Sequence, residues 1–176
     1  MTGCCRDIKK TKKLIKVEYL YLDLKTCERC IGTDTVLENV LKELKGAFSL
    51  AGYSIVYKKV QIKTAEMAQA YRFLSSPTIR VNGRDICASV QENNCGCCGD
   101  IAGTQVNCRV FSYNGKKYEV PPKEMLAQRI LKLAFQPQLP SLHIRKYVLP
   151  KNLKNFFDGK QRASLVSNQM EMGHTQ

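Results

Sequence analysis

The 176-residue chain has no apolar run approaching the roughly 20 residues a membrane-crossing helix needs, so no helical span is expected. Behind the basic residues of Met1 to Arg6 there is no apolar stretch long enough for a signal peptide, and the expected location is the cytoplasm. Histidine is nearly missing. His143 and His174 are the two, neither at ligand spacing to a cysteine group, so both are read as surface residues and a serine- or cysteine-histidine dyad has no support. Acidic residues are few, 15 against 28 basic, giving a formal charge of +13. The first 13 residues carry +4 and residues 136–176 another +4, so the body keeps 13 − 4 − 4 = +5. No basic, aromatic-interleaved stripe runs through a folded element, which argues against a nucleic-acid surface.

What is abundant is cysteine. Nine occur, grouped as Cys4/Cys5, Cys27/Cys30 and Cys95/Cys97/Cys98, with Cys87 and Cys108 apart. In a reducing cytosol such tight groups point to redox or metal chemistry rather than to a structural disulfide framework. Cys4-Cys5 suits metal binding, modification or chance placement equally. The 44% hydrophobic and 24% charged composition is that of a globular protein, with length for one main domain and an appended unit.

Residues 14–24 (LIKVEYLYLDL) form a nearly continuous apolar run rich in branched and aromatic side chains, as a central strand covered on both faces requires. Its end leads into Thr26-Cys27-Glu28-Arg29-Cys30. Val36, Leu37, Val40, Leu41, Leu44 and Phe48 then follow helical spacing, with Thr35 and Glu38 in the form of a capping box. Gly46 weakens that helix and Gly52 closes it. Residues 53–62 (YSIVYKKVQI) read as a second strand, and Thr64 as the cap of a helix with Met67, Ala68, Tyr71 and Leu74 on its apolar side. Asn82-Gly83 then joins two short runs as a hairpin turn. A right-handed crossover between the first two strands gives an α/β fold, a small mixed sheet flanked by helices.

At the strand-to-helix junction, a thiolate near a helix N-terminus and beside Lys25 and Arg29 has a lowered pKa, which makes Cys27 the expected nucleophile. Cys30, one helical turn away, would resolve a mixed disulfide on Cys27. If the helix starts at Thr35, Cys27 loses much of this help from the dipole. The expected partner is a disulfide-containing protein or small thiol.

Asn93-Asn94-Cys95-Gly96-Cys97-Cys98-Gly99-Asp100 reads as a Gly/Asn-rich loop whose glycines allow sulfurs to converge. Cys95 and Cys98 make a second C-x-x-C. With Cys97 or Cys108 they offer three or four thiolates to zinc or another thiophilic metal, or a relay exchanging electrons with Cys27/Cys30. So many soft ligands also suggest mercury, arsenic or an organometal as substrate, and Cys98, Asp100 and Cys108 are the residue types with which carbon-metal bonds are protonated in organomercurial lyases.

The order strand, C-x-x-C, helix, strand, helix, Ser76-Pro77-Thr78, strand, Asn82-Gly83, strand over residues 14–90 resembles the thioredoxin and glutaredoxin superfamily. Residues 108–118 and 147–153 extend the likeness to an uncharacterised bacterial thioredoxin-like family of unknown function. The resemblance implies a thioredoxin-like core in which Pro77 is cis and, with the backbone of Ser76, lies beside Cys27 and Cys30. After the hairpin the chain reads Ile86-Cys87-Ala88-Ser89-Val90, without the paired glycine of a glutathione site.

Residues 91–135 then form the appended unit: the cysteine loop, a hairpin turning at Asn114-Gly115, and a helix opened by Pro121-Pro122 with Met125, Leu126, Ile130, Leu133 and Ala134 on one side. It either closes over the dithiol or, more simply, extends the core. Residues 1–13 read as a basic tail. Residues 136–176 read as a Pro-punctuated basic segment with a short helix over Asn152 to Phe157, disordered from Arg162 onward.

Overall fold

In a computed structural model the described residues are 12–137 and 146–172. The strand of residues 14–24 is realised as β1 (Lys13–Tyr21), with Ile15, Val17, Tyr19 and Leu20 wholly buried. β1 lies inside a four-stranded mixed sheet. Helix α1 (Glu28–Leu50) crosses over to the parallel strand β2 (Tyr53–Gln61), and helix α2 (Ala65–Ala70) leads to β3 (Thr78–Val81), antiparallel to β1. β3 turns at Asn82-Gly83, both with positive φ, into the short β4 (Arg84–Asp85), and the order is β2-β1-β3-β4.

The second sheet comprises β5 (Gln91–Asn94), β6 (Asn107–Tyr113) and β7 (Lys116–Tyr118), all antiparallel, with helix α3 (Gly96–Ala102) between β5 and β6. Helices α4 (Lys123–Phe135) and α5 (Lys151–Met172) follow. The fold is therefore α/β, as the alternation of elements predicts.

Two apolar clusters hold these layers together. Ile15, Val17 and Tyr19 of β1 pack with Leu37, Val40 and Phe48 of α1 and Met125, Leu126 and Ile130 of α4. Leu20 and Leu22 pack instead with Phe73, the cysteines, Ala102 and Val106, and Leu153, Phe156 and Phe157 of α5. Each fully buried Leu or Phe contributes about 1.5–3 kcal/mol of transfer free energy, so the cysteine region belongs to the second core.

Four expectations are corrected. The long helix starts at Glu28 with Cys27 as its N-cap, not at Thr35. Asp23 Oδ2 accepts the N–H groups of Lys25, Thr26 and Cys27, which turns the chain into the helix early, while the Thr35 hydroxyl bonds back to the Ile31 carbonyl inside it. Gly46 lies within α1, and Gly52, at φ +82°, follows its end as expected. The second helix stops at Ala70, because Arg72 takes φ +47° and the Phe73 N–H returns to the Ala68 carbonyl, leaving Leu74 44% exposed rather than on an apolar face.

The cysteine stretch is not a loop alone, since residues 96–102 form α3, ended by Gly103 in the left-handed region. Finally, α5 continues through Arg162 to Met172 where disorder was expected. Its first turns are anchored by Leu153, Phe156 and Phe157 against the second core, which lets the helix propagate beyond the anchored part. Cys4, Cys5, His143 and His174 lie outside the described residues.

Candidate metal centre

The site begins with one carboxylate. Asp23 Oδ2 accepts four hydrogen bonds, from the N–H of Lys25, Thr26 and Cys27 and from the Thr26 hydroxyl, at 2.6–3.2 Å. Burial tends to raise its pKa, but the bonds from Thr26, Cys27 and Lys25 outweigh this and hold it below the usual carboxylate range. The clamp fixes Cys27 in extended geometry at the head of α1. One turn on, the Cys30 carbonyl accepts the Tyr19 hydroxyl at 2.7 Å, which pins the helix to the sheet.

Ser76-Pro77 stands beside this turn and its peptide bond is cis. The Ser76 hydroxyl accepts the Leu22 N–H and lies 3.4 Å from Cys30 Sγ. The Ser76 carbonyl accepts the Arg109 N–H at 2.6 Å, so the backbone next to Pro77 is engaged by β6.

The second sheet is locked to the dithiol by Arg29, inside the C-x-x-C itself. The side chain is 6% exposed; its guanidinium donates to the carbonyls of Cys108 (2.9 Å) and Asn94 (3.3 Å) and forms an ion pair with Glu119 at 2.6 Å. Asn94 and Cys108 flank α3, so this one side chain holds both ends of the cysteine unit over Cys27. From the far side, Asn152 at the start of α5 accepts the Asn107 N–H at 2.8 Å and donates to the Asn107 carbonyl, as a neighbouring strand would. Gly159 brings α5 against α3 so closely that a Cβ there would collide with the Ala102 carbonyl oxygen.

These constraints bring together sulfurs far apart in sequence. The sulfurs of Cys27, Cys95 and Cys98 all lie within 4.8 Å of one another, the three residues being the metal-compatible group among the described residues. Cys98 Sγ is 3.8 Å from Cys27 Sγ, and Cys108 Sγ is 3.4 Å from Cys98 Sγ. Two thiolates bound tetrahedrally to one ion at about 2.3 Å stand about 3.8 Å apart, so the spacing suits a shared metal. The described cysteines are all free thiols.

Hydrogen bonds from Cys108, Cys30, Cys95 and Cys98 pull the Cys27 thiol far below its ordinary value, against the opposing effect of burial. Cys95 is lowered to about 7, first by Cys108, with Cys27 opposing. Cys30 is raised by its bond to Cys27 and by burial. Cys108 is raised by its bonds to Cys27, Cys95 and Cys98. For Cys98 the bond with Cys108 lowers the value, yet Cys27, Cys95 and burial together raise it.

Of the residues expected in the site, Cys27, Cys30, Cys95, Cys98, Cys108 and Ser76 converge. Cys97 does not join them; it is half-buried on α3 and absent from the metal-compatible group. The appended unit both extends the core and closes over the dithiol, leaving Cys27, Cys30, Cys98 and Cys108 at 0% exposure and Cys95 at 4%. Asp23, Arg29 and Asn152 carry the geometry without having been singled out for it. An acidic residue four positions before Cys27 was a readable capping signal; Arg29 read only as a nearby cation, and Asn152 carried no signal.

No curated protein and no solved structure matches the chain significantly. A family model matches residues 15–130, from β1 into α4 and across all five clustered cysteines. On that match, covering well over half of its length, the chain belongs to the family described as Domain of unknown function (DUF2703).

Proposed function

We propose that the protein binds a thiophilic metal ion through thiolates of Cys27, Cys95 and Cys98, with Cys108 and Cys30 as adjoining thiols. The observation that carries this reading is the convergence of those three sulfurs, all on buried residues, within 4.8 Å of one another. Soft sulfur donors without any carboxylate or imidazole among them suit zinc, cadmium, mercury or arsenic far better than magnesium or calcium. Burial argues in the same direction. Thiol–disulfide exchange needs the attacking thiolate to reach a partner's sulfur, and Cys27 at 0% exposure offers no approach to a folded disulfide protein.

The reading is tested by native mass spectrometry of the reduced protein titrated with cadmium. One ion per chain is expected, lost in Cys27→Ser and in Cys98→Ser. A wild-type protein that takes up no thiophilic ion would end the proposal.

A second reading rests on the contact of Cys27 with Cys30 and on the 3.4 Å between Cys98 and Cys108. Here the protein is a thiol–disulfide redox protein in which Cys27/Cys30 relays to the second cysteine group, with a small thiol rather than a protein as partner. Mild oxidation followed by peptide mapping tests it: a Cys27–Cys30 disulfide that a small thiol reduces reversibly supports it, and a dithiol that never exchanges removes it. The lyase chemistry expected from Cys98, Asp100 and Cys108 is less well supported, because Asp100 lines an outer depression with Cys95 and is not grouped with the sulfurs.

A further inference from the structure

The sulfurs are packed among apolar side chains. Their packing partners are Leu20, Leu22, Val60, Ile62, Phe73 and Val106, and all five clustered cysteines, Cys27, Cys30, Cys95, Cys98 and Cys108, are at most 4% exposed. Cys27 and Cys95 stand at the N-termini of α1 and α3. The nearby guanidinium of Arg29 is directed at the carbonyls of Cys108 and Asn94 and neutralised by Glu119 at 2.6 Å. Net charge among apolar side chains is unfavourable wherever it is not compensated.

That cost discriminates between ions of equal softness. A divalent ion with four thiolates carries two negative charges, and with three thiolates one. A divalent ion with two thiolates is neutral but leaves the third converging sulfur unused. A trivalent ion with three thiolates is neutral and uses all three.

We infer that the centre is selective for a trivalent metalloid, of which arsenous acid is the simplest, bound by Cys27, Cys95 and Cys98 while Cys108 and Cys30 stay protonated as S–H donors to them. This inference rests on the thiolate-metal reading above. Binding balances without redox: arsenous acid exchanges its three hydroxides for three thiolates, each hydroxide leaving as water with the proton of its thiol, or with one from solvent where the ligand is already a thiolate, and three As–S bonds replace three As–O bonds. Of the three ligands, Cys95 is the one that lines an open depression of about 580 Å³, with Asn94, Gly96, Gly99, Asp100 and Gly103, so an incoming ion would meet it first.

Proton balance separates this from divalent binding. A divalent ion displaces the remaining thiol protons into solvent, so its affinity falls as pH falls; arsenous acid releases none and takes one up for each ligand that is already a thiolate. The test is calorimetric titration of the reduced wild-type protein with arsenite and with zinc, each in two buffers of different ionisation enthalpy, alongside a count of thiols that remain reactive in denaturant. Arsenite is expected to bind at one per chain, protect three thiols, release no protons and displace zinc. Cys95→Ser and Cys98→Ser are expected to weaken arsenite by well over about a hundredfold and to leave two thiols protected, whereas Cys108→Ser is expected to weaken it by about ten- to a hundredfold, as loss of an outer hydrogen-bonding partner does, with three thiols still protected. Zinc binding that is tighter than arsenite, protects four thiols and releases protons would overturn the trivalent assignment while leaving the metal reading intact. Uptake of neither ion would overturn both.

Discussion

Cys98 places its sulfur 3.8 Å from that of Cys27, a residue 71 positions earlier. Nothing local to either residue produces that contact. It is the joint result of an Asp23 clamp at the head of α1, an Arg29 fork across to β6, and the seating of α5 behind α3. Each constraint can be removed separately.

Asp23→Ala removes the acceptor for three backbone N–H groups and is expected to cost about 1–2 kcal/mol, in the upper range for a helix cap. The pH dependence follows from its lowered pKa. A carboxylate depressed in the folded state stabilises fully above its unfolded value of about 3.9, and that stabilisation is lost as pH falls through the folded value. Urea midpoints of wild type and Asp23→Ala should therefore differ at pH 7 and converge in strong acid.

Arg29→Met leaves the carbonyls of Cys108 and Asn94 without their donor and should destabilise the protein by about 2–3 kcal/mol, since hydrogen bonds to a charged group in a buried setting are lost. Arg29→Lys keeps the charge but not the fork and should recover less than half of this. Cadmium affinity should fall in parallel, because the same residue sets the position of Cys95 and Cys108 relative to Cys27.

Much of the frame was legible beforehand. The apolar run of β1, the helical spacing of α1, the Asn82-Gly83 and Asn114-Gly115 turns and the Thr64 cap follow from local chemistry, and the structure has them. The start of α1 was misread because Thr35 and Glu38 imitate a capping box while the true cap is set by Asp23, outside the helix. Cys27 and Cys95 were each recognisable as chemical groups, but their union was not. It depends on β6 pairing with β5 and on Arg29 reaching across 79 positions to the Cys108 carbonyl, and no spacing within either cysteine group encodes that. The length of α5 was likewise hidden, since only its first turns carry the buried Leu153, Phe156 and Phe157.

Two glycine substitutions should have opposite signs. Gly159→Ala drives a methyl into the Ala102 carbonyl and should cost about 1–3 kcal/mol or more through displacement of α3. Gly46→Ala, inside α1 with nothing within 4 Å of its added carbon, should stabilise by about 0.5–1 kcal/mol. Thermal unfolding of the two variants beside wild type reads both.

Asn152→Ala removes two bonds to the Asn107 backbone and should cost about 1–3 kcal/mol, the penalty for leaving partly buried polar groups unmatched. Hydrogen exchange at the Asn107 amide should rise in the variant well before exchange in β1 does.

The most direct measurement of the central claim is metal stoichiometry by native mass spectrometry on reduced wild type and single Cys→Ser variants, titrated with cadmium under identical conditions. One bound ion per chain is predicted for wild type, Cys87→Ser and Cys97→Ser, and none for Cys27→Ser or Cys98→Ser. Retention of the ion by Cys27→Ser together with Cys98→Ser, or its loss on replacing Cys97, would contradict the account.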